Sequence, residues 1–132
     1  MLFKGLIESA ILFIIAFLTT FAIVTVIKNT VRTPRPRNAA VATVGYSFPS
    51  GHAAAGGFFA TSISYLMAQQ FSGIIVLLVS ALVVGIGVSI AVSRVFLRAH
   101  TIPQILVGLI IGVSVPLIIF HYQHTLLLFI FG

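Results

Sequence analysis

Two histidines and a set of cations are the residues in this chain whose types and spacing could do chemistry. His52 ends the stretch Ser47-Phe48-Pro49-Ser50-Gly51-His52, and His100 lies within Ser93-Arg94-Val95-Phe96-Leu97-Arg98-Ala99-His100-Thr101-Ile102-Pro103-Gln104. An imidazole can take a phosphoryl group as a nucleophile, or move a proton near neutral pH. Lys28, Arg32, Arg35 and Arg37 follow one apolar run, Arg94 and Arg98 follow another, and only Lys4 stands elsewhere. Lysine and arginine stabilise the equatorial oxygens of a transferring phosphoryl group, lysine as a point charge and arginine through planar two-point contacts. Histidines facing cations therefore point to phosphoryl transfer with one histidine as nucleophile and one as acid.

Local signals support an anion site. Pro49 cannot continue a helix from before it, and Ser50 is a good N-cap residue. From His52 the sequence turns small and apolar, so Ser50-Gly51-His52 is expected to open a helix, where free backbone N–H groups favour a phosphate. Gly51 lets a ligand approach the backbone. In the third segment Thr101-x-x-Gln104 has capping-box spacing, and a helix that already included His100 would place Gln104 on its face. A two-metal site is not expected, because Glu8 is the one acidic residue against seven Lys and Arg, and there is no cysteine. His121 and His124 resemble a metal pair in spacing but lack a third ligand, and read as interfacial histidines.

The elements that must position these residues are membrane spans. Only 6% of residues are charged and 60% are hydrophobic, far from the composition of a soluble domain. Apolar runs over residues 6–27, 52–69, 74–93 and 101–120 predict four spans of one domain covering residues 1–132. A cleavable signal is not expected in the first run, since its basic cluster follows it and no small-residue cleavage site does. Glu8 falls near the outer end of that run, at the interface. Asn29 to Ser50 is the one long polar loop, and Gly108-x-x-x-Gly112 in the last span is a close-packing spacing. Residues after His121-Tyr122-Gln123-His124 form an apolar tail too short to cross again. Alternation of the spans brings the end of the first, the start of the second, the end of the third and the start of the fourth to one face. The basic residues, His52 and His100 all lie at those places. The positive charge is thus gathered for a bound anion rather than spread for nucleic acid.

Lys28-x6-Arg35-Pro36, Pro49-Ser50-Gly51-His52 and Ser93-Arg94-x5-His100 closely resemble, in order and spacing, the three-part signature of the type 2 phosphatidic acid phosphatase superfamily. The resemblance covers about residues 28–104. It implies that His100 forms a phosphohistidine, and that His52 protonates the leaving oxygen and then activates water. It further implies that Lys28, Arg35 and Arg94 hold the phosphate with the Ser50 hydroxyl and the Gly51 N–H, and that no metal or other cofactor is needed. Family members commonly have six spans, so these four represent the core of either a minimal member or a fragment whose remaining pair would precede residue 1. The usual third motif ends in Asp where this chain has Gln104. Glutamine offers the acceptor oxygen that orients the histidine but no charge. Dolichyl diphosphatase-like members are similar here, with His-Thr-x-x-Gln.

The expectation is an all-α integral membrane helical bundle with its site at one mouth. Its substrate is a lipid carrying a terminal phosphate or diphosphate, polyprenyl diphosphate first and phosphatidate or phosphatidylglycerol phosphate next. The short loop between Pro36 and Pro49 leaves little room for a lid over a large polar substrate. A catalytically silent binder of anionic lipid is the alternative from another class, and a channel would need more polar residues in the spans. Loop Lys and Arg residues would place the basic face in the cytoplasm. The resemblance instead implies a cell (inner) membrane protein with its site on the non-cytoplasmic side.

Overall fold

The computed structural model describes residues 2–35, 39–40 and 44–131, with backbone alone for 2–4. Pro36 and Arg37, and the side chain of Lys4, lie outside them. Among the described residues there are five helices and no strand: α1 (Leu2–Val31), α2 (Gly51–Gln70), α3 (Ile74–Phe96), α4 (Ile102–His121) and α5 (Gln123–Phe131). The fold is all-α. Helices α1 and α3 outrun their apolar runs the most, α1 spanning Leu2 to Val31 and α3 continuing to Phe96, because backbone hydrogen bonding does not stop where hydrophobicity does. The tail forms α5, whose nine residues reach about 14 Å, well short of a bilayer core.

Among the described residues three helices are long and apolar enough to cross a membrane: α1 from Gly5 to Val31, α3 and α4. The chain is therefore an integral membrane protein. A fourth span over residues 52–69 is expected from the sequence, but α2 is not among the three. Its residues are largely Gly, Ala, Ser and Thr, and it ends in Gln69-Gln70. Such residues serve helix packing better than contact with lipid. Ala53, Ala54, Gly56, Gly57, Phe58, Ala60 and Ser62 of α2 are buried, whereas α3 buries only Gly87 and Ala91. Leu77, Leu78 and Leu82 of α3 are 63–66% exposed, which suits a face turned to hydrocarbon.

Helix α2 is the centre, packed against α4, α3 and α1. Gly56 and Gly87 bring α2 and α3 together so closely that a Cβ on either would lie 2.7 Å from the other's carbonyl oxygen. A Cβ on Gly108 or Gly112 would run into the carbonyl oxygens of Ser50 and Ala54. The close-packing spacing of α4 thus seats it against the first turns of α2. Towards α1, the Phe58 ring meets Phe13 and Phe17 edge-on at 5.1 and 5.6 Å. At the far end Tyr65 stacks on Phe120 at 4.5 Å.

Two turns aim the chain at the site. Arg32 and Arg98 follow α1 and α3 with φ of 50° and 51°, a left-handed conformation that helix ends usually assign to glycine. Their N–H groups donate to Lys28 O at 3.0 Å and Val95 O at 2.8 Å. Each turn reverses the chain just past a helix end that carries a candidate cation, Lys28 or Arg94.

Candidate active site

Ser50 anchors the start of α2 in two ways. Its Oγ accepts from the Ala53 N–H at 3.3 Å, and its own N–H donates to Gln104 O at 3.0 Å. The second bond ties the first turn of α2 to the first turn of α4. Gly51 and His52 then occupy positions whose N–H groups have no helical carbonyl to bond. His100 stands in the turn between α3 and α4, its N–H donating to Arg94 O at 3.2 Å beside that of Ala99 at 3.0 Å. It lies outside α4, which begins at Ile102.

The cations are held by backbone carbonyls. Lys28 Nζ donates to Tyr46 O at 3.0 Å, while Arg35 donates through Nε to Gly45 O at 2.9 Å and through Nη2 to Val44 O at 3.1 Å. Both side chains therefore keep their charge near the site while fixing the loop that faces it. Lys28, Arg35, Gly51, His52 and His100 line one cavity of about 420 Å³, closed by Phe21, Ala55 and residues 44–46. No acidic side chain is in its lining. A cavity with this lining favours a multiply charged anion.

The other sequence candidates stand around this cavity rather than in its wall. Ser50 is fully buried, with its oxygen engaged as a helix cap. Arg94 donates through Nε to Ser93 Oγ at 3.3 Å, and its charge acts on His52 together with those of Arg35 and Lys28. Gln104 sits behind His100. Arg32 turns back to Asn29 O at 2.9 Å, and Arg98 is exposed; neither lines the cavity. His124 lines a separate cavity of about 260 Å³ with Glu8, Ser9 and Gln69, at the other end of the bundle. Among the described residues no three His, Cys, Asp or Glu side chains form a metal-holding group.

A buried hydrogen-bond chain sets the His100 ring. Ser47 Oγ lies 2.9 Å from Pro34 O and 3.1 Å from Thr33 O, and accepts from Gln104 Nε2 at 3.1 Å. Carbonyls only accept, so the one hydroxyl proton of Ser47 goes to the backbone. Gln104 must then present Oε1 at its other end, where the Thr101 N–H donates to it at 3.1 Å and His100 Nδ1 lies at 3.2 Å. The proton of His100 therefore resides on Nδ1, and Nε2 carries the free lone pair. His100 is only 4% exposed. Burial pushes its imidazole below the ordinary value and the charges of Arg35 and Lys28 push the same way, while Gln104 and the Ser47 backbone oppose them.

Ser47 is the residue that sequence reasoning missed. Its partner Gln104 is 57 positions away, and nothing local distinguishes it from any polar residue before a proline. The carbonyls of Val44, Gly45 and Tyr46 were equally invisible, since backbone acceptors leave no trace in residue type.

The chain matches the family model described as the PAP2 superfamily over residues 9–127. It belongs to that superfamily, whose members are generally phosphatases. No curated protein and no solved structure matches it.

Proposed function

We propose that this protein is a metal-independent membrane phosphatase that hydrolyses a lipid phosphate or diphosphate through a phosphohistidine on His100. The observation that carries the reading is the meeting of His52, His100, Lys28 and Arg35 around one cavity without an acidic lining. In this reading residues 1–132 act as one domain, with α2 as a fourth, protein-surrounded span.

The lone pair of His100 Nε2 attacks phosphorus, and the bond from phosphorus to the leaving oxygen breaks. His52 gives that oxygen a proton. Lys28 and Arg35 neutralise the charge on the equatorial oxygens, with the Gly51 N–H at the helix end beside them and Arg94 supporting from behind. Such donors act strongly in a site shielded from water, where removing one typically costs about 10²–10³ in rate. Gln104 holds the Nδ1–H while positive charge develops on the ring. In the second half His52 removes a proton from water, the water oxygen attacks phosphorus, the P–N bond breaks, and inorganic phosphate leaves.

A site at the mouth of a membrane bundle meets amphiphiles laterally, which favours a lipid substrate. Polyprenyl diphosphate is the first choice, from the His100-Thr101-x-x-Gln104 pattern, ahead of phosphatidate or phosphatidylglycerol phosphate. The cations engaged at the cavity are read as ligand-binding groups rather than topology signals, and it is the family resemblance that favours the non-cytoplasmic side of the cell (inner) membrane for the site. Phosphate release from a panel of lipid phosphates and diphosphates, with and without chelator, tests the reading. Chelator-resistant release that is lost in His100→Ala supports it. Tight lipid binding with no release from either protein would instead identify a silent binder.

A further inference from the structure

We propose that a groove between α2 and α3, beginning at His52, holds the hydrocarbon chain of the phosphate-bearing substrate. This rests on the lipid-phosphatase reading above and adds the place where the apolar part of that substrate is recognised. The groove is about 340 Å³ in volume, and His52 and Ala55 line it as well as the phosphate cavity. A molecule whose head occupies the cavity can therefore pass its tail directly into the groove beside the proton-donating histidine.

Below that junction the lining becomes apolar. Phe59 and Ile63 continue the same face of α2, while Val83, Ile86 and Ile90 form the α3 wall. Gly56 and Gly87 complete the lining where the two helices touch. From His52 to Ile63 the groove descends about 16 Å along α2. That is about half of a ~30 Å hydrocarbon core, the depth of one leaflet. Phe59 and Ile86 remain 43% and 52% exposed, so the groove opens sideways and a chain can enter from the bilayer without leaving it. A longer prenyl chain would continue out into lipid.

A larger apolar cavity of about 500 Å³ lies between α2, α3 and α4, but it shares no lining residue with the phosphate cavity. Continuity with the anion site thus selects the smaller groove.

The test uses the full chain in lipid nanodiscs and a photoactivatable prenyl diphosphate with a diazirine midway along its chain. The His100→Ala variant keeps the probe intact. Crosslinks mapped to Phe59, Ile63 or Ile86 that are lost with the corresponding unphosphorylated alcohol support the proposal. Equal labelling by the alcohol, or labelling centred on the larger cavity at Ser64 and Leu117, overturns it. This readout holds whether or not the wild-type protein turns the probe over, so failure of the phosphatase reading remains distinguishable. A second measurement fills the groove with Ile86→Trp. It should lower kcat/KM about tenfold, equivalent to about 1.4 kcal/mol, for a long-chain diphosphate while leaving para-nitrophenyl phosphate unchanged, and Leu82→Trp on the lipid-facing side of α3 should change neither. Equal losses on both substrates from Ile86→Trp would also overturn the proposal.

Discussion

Ser47 Oγ accepts a hydrogen bond from Gln104 Nε2 over 3.1 Å, joining two residues 57 positions apart behind the candidate nucleophile. The bond fixes which end of the glutamine amide faces His100, and so which ring nitrogen is free to react. Ser47→Ala removes the acceptor and leaves a buried amide N–H unpaired, at a stability cost of about 1–3 kcal/mol. The amide also becomes free to rotate. We expect kcat to fall by about tenfold, or about 1.4 kcal/mol in the barrier, with KM little changed. Steady-state kinetics on folded, monodisperse protein checks this split, and Ser47→Thr should restore much of the rate.

The pH dependence follows from the burial of His100. A protonated imidazole cannot attack, and burial, Arg35 and Lys28 hold this ring below its ordinary range. The enzyme should therefore retain kcat/KM below a pH of about 6.5, the unperturbed histidine value, and lose it on further acidification. Gln104→Asp places a carboxylate against Nδ1–H and favours the charged ring, so the acidic limb should move to higher pH. A profile recorded for both proteins on one substrate checks the direction, since the substrate's own titration is common to both.

Arg35 joins two roles, charge at the cavity and a two-point clamp on Val44 and Gly45. Arg35→Ala should lower kcat/KM by about a hundredfold or more, the scale for removing a preorganised donor. Arg35→Lys should recover little of it, because an ammonium cannot reproduce the planar fork. Phosphate release assays on the two variants would show whether the clamp matters beyond the charge.

Two glycines separate function from packing. A Cβ on Gly51 would meet nothing nearer than Lys28 Cε at 3.9 Å, an ordinary contact, whereas one on Gly112 would overlap the Ala54 carbonyl. Gly51→Ala should keep its melting temperature in detergent and raise KM, because the methyl occupies space needed by the anion. Gly112→Ala should lose stability by about 1–3 kcal/mol, as overpacking against backbone typically does. Thermal unfolding followed by kinetics distinguishes the two effects.

These residues also mark how far the chain could be read without its structure. The start of α2 was legible because N-capping is local: Ser50 Oγ bonds the Ala53 N–H three residues on. Convergence of His52, His100 and Lys28 followed from counting alternating spans, which needs only run lengths. The count itself is where apolarity gave out, since α2 is a packing helix and its composition differs from that of its three neighbours. Gly108 and Gly112 were readable as a close-packing spacing, but their partners in α2 were not. The Ser47–Gln104 bond was out of reach, because it depends on the loop between α1 and α2 returning to the first turn of α4. The residue type of Ser50 predicted the cap that its oxygen makes in the fold, whereas a phosphate contact from its hydroxyl came from the family resemblance alone.

The central claim is covalent chemistry at one nitrogen, and trapping the intermediate tests it most directly. His52→Asn removes both the acid of the first step and the base that activates water. With an aryl phosphate, whose leaving group departs without a proton, it should therefore let the phosphoryl group form and persist on His100. Brief incubation with a substrate carrying labelled phosphorus, followed by alkaline quenching and peptide mapping, should give base-stable, acid-labile label on the peptide containing His100 and none in a His52→Asn/His100→Ala double variant. Label on another residue, or His100→Ala protein that still turns substrate over at the wild-type rate, would contradict the account.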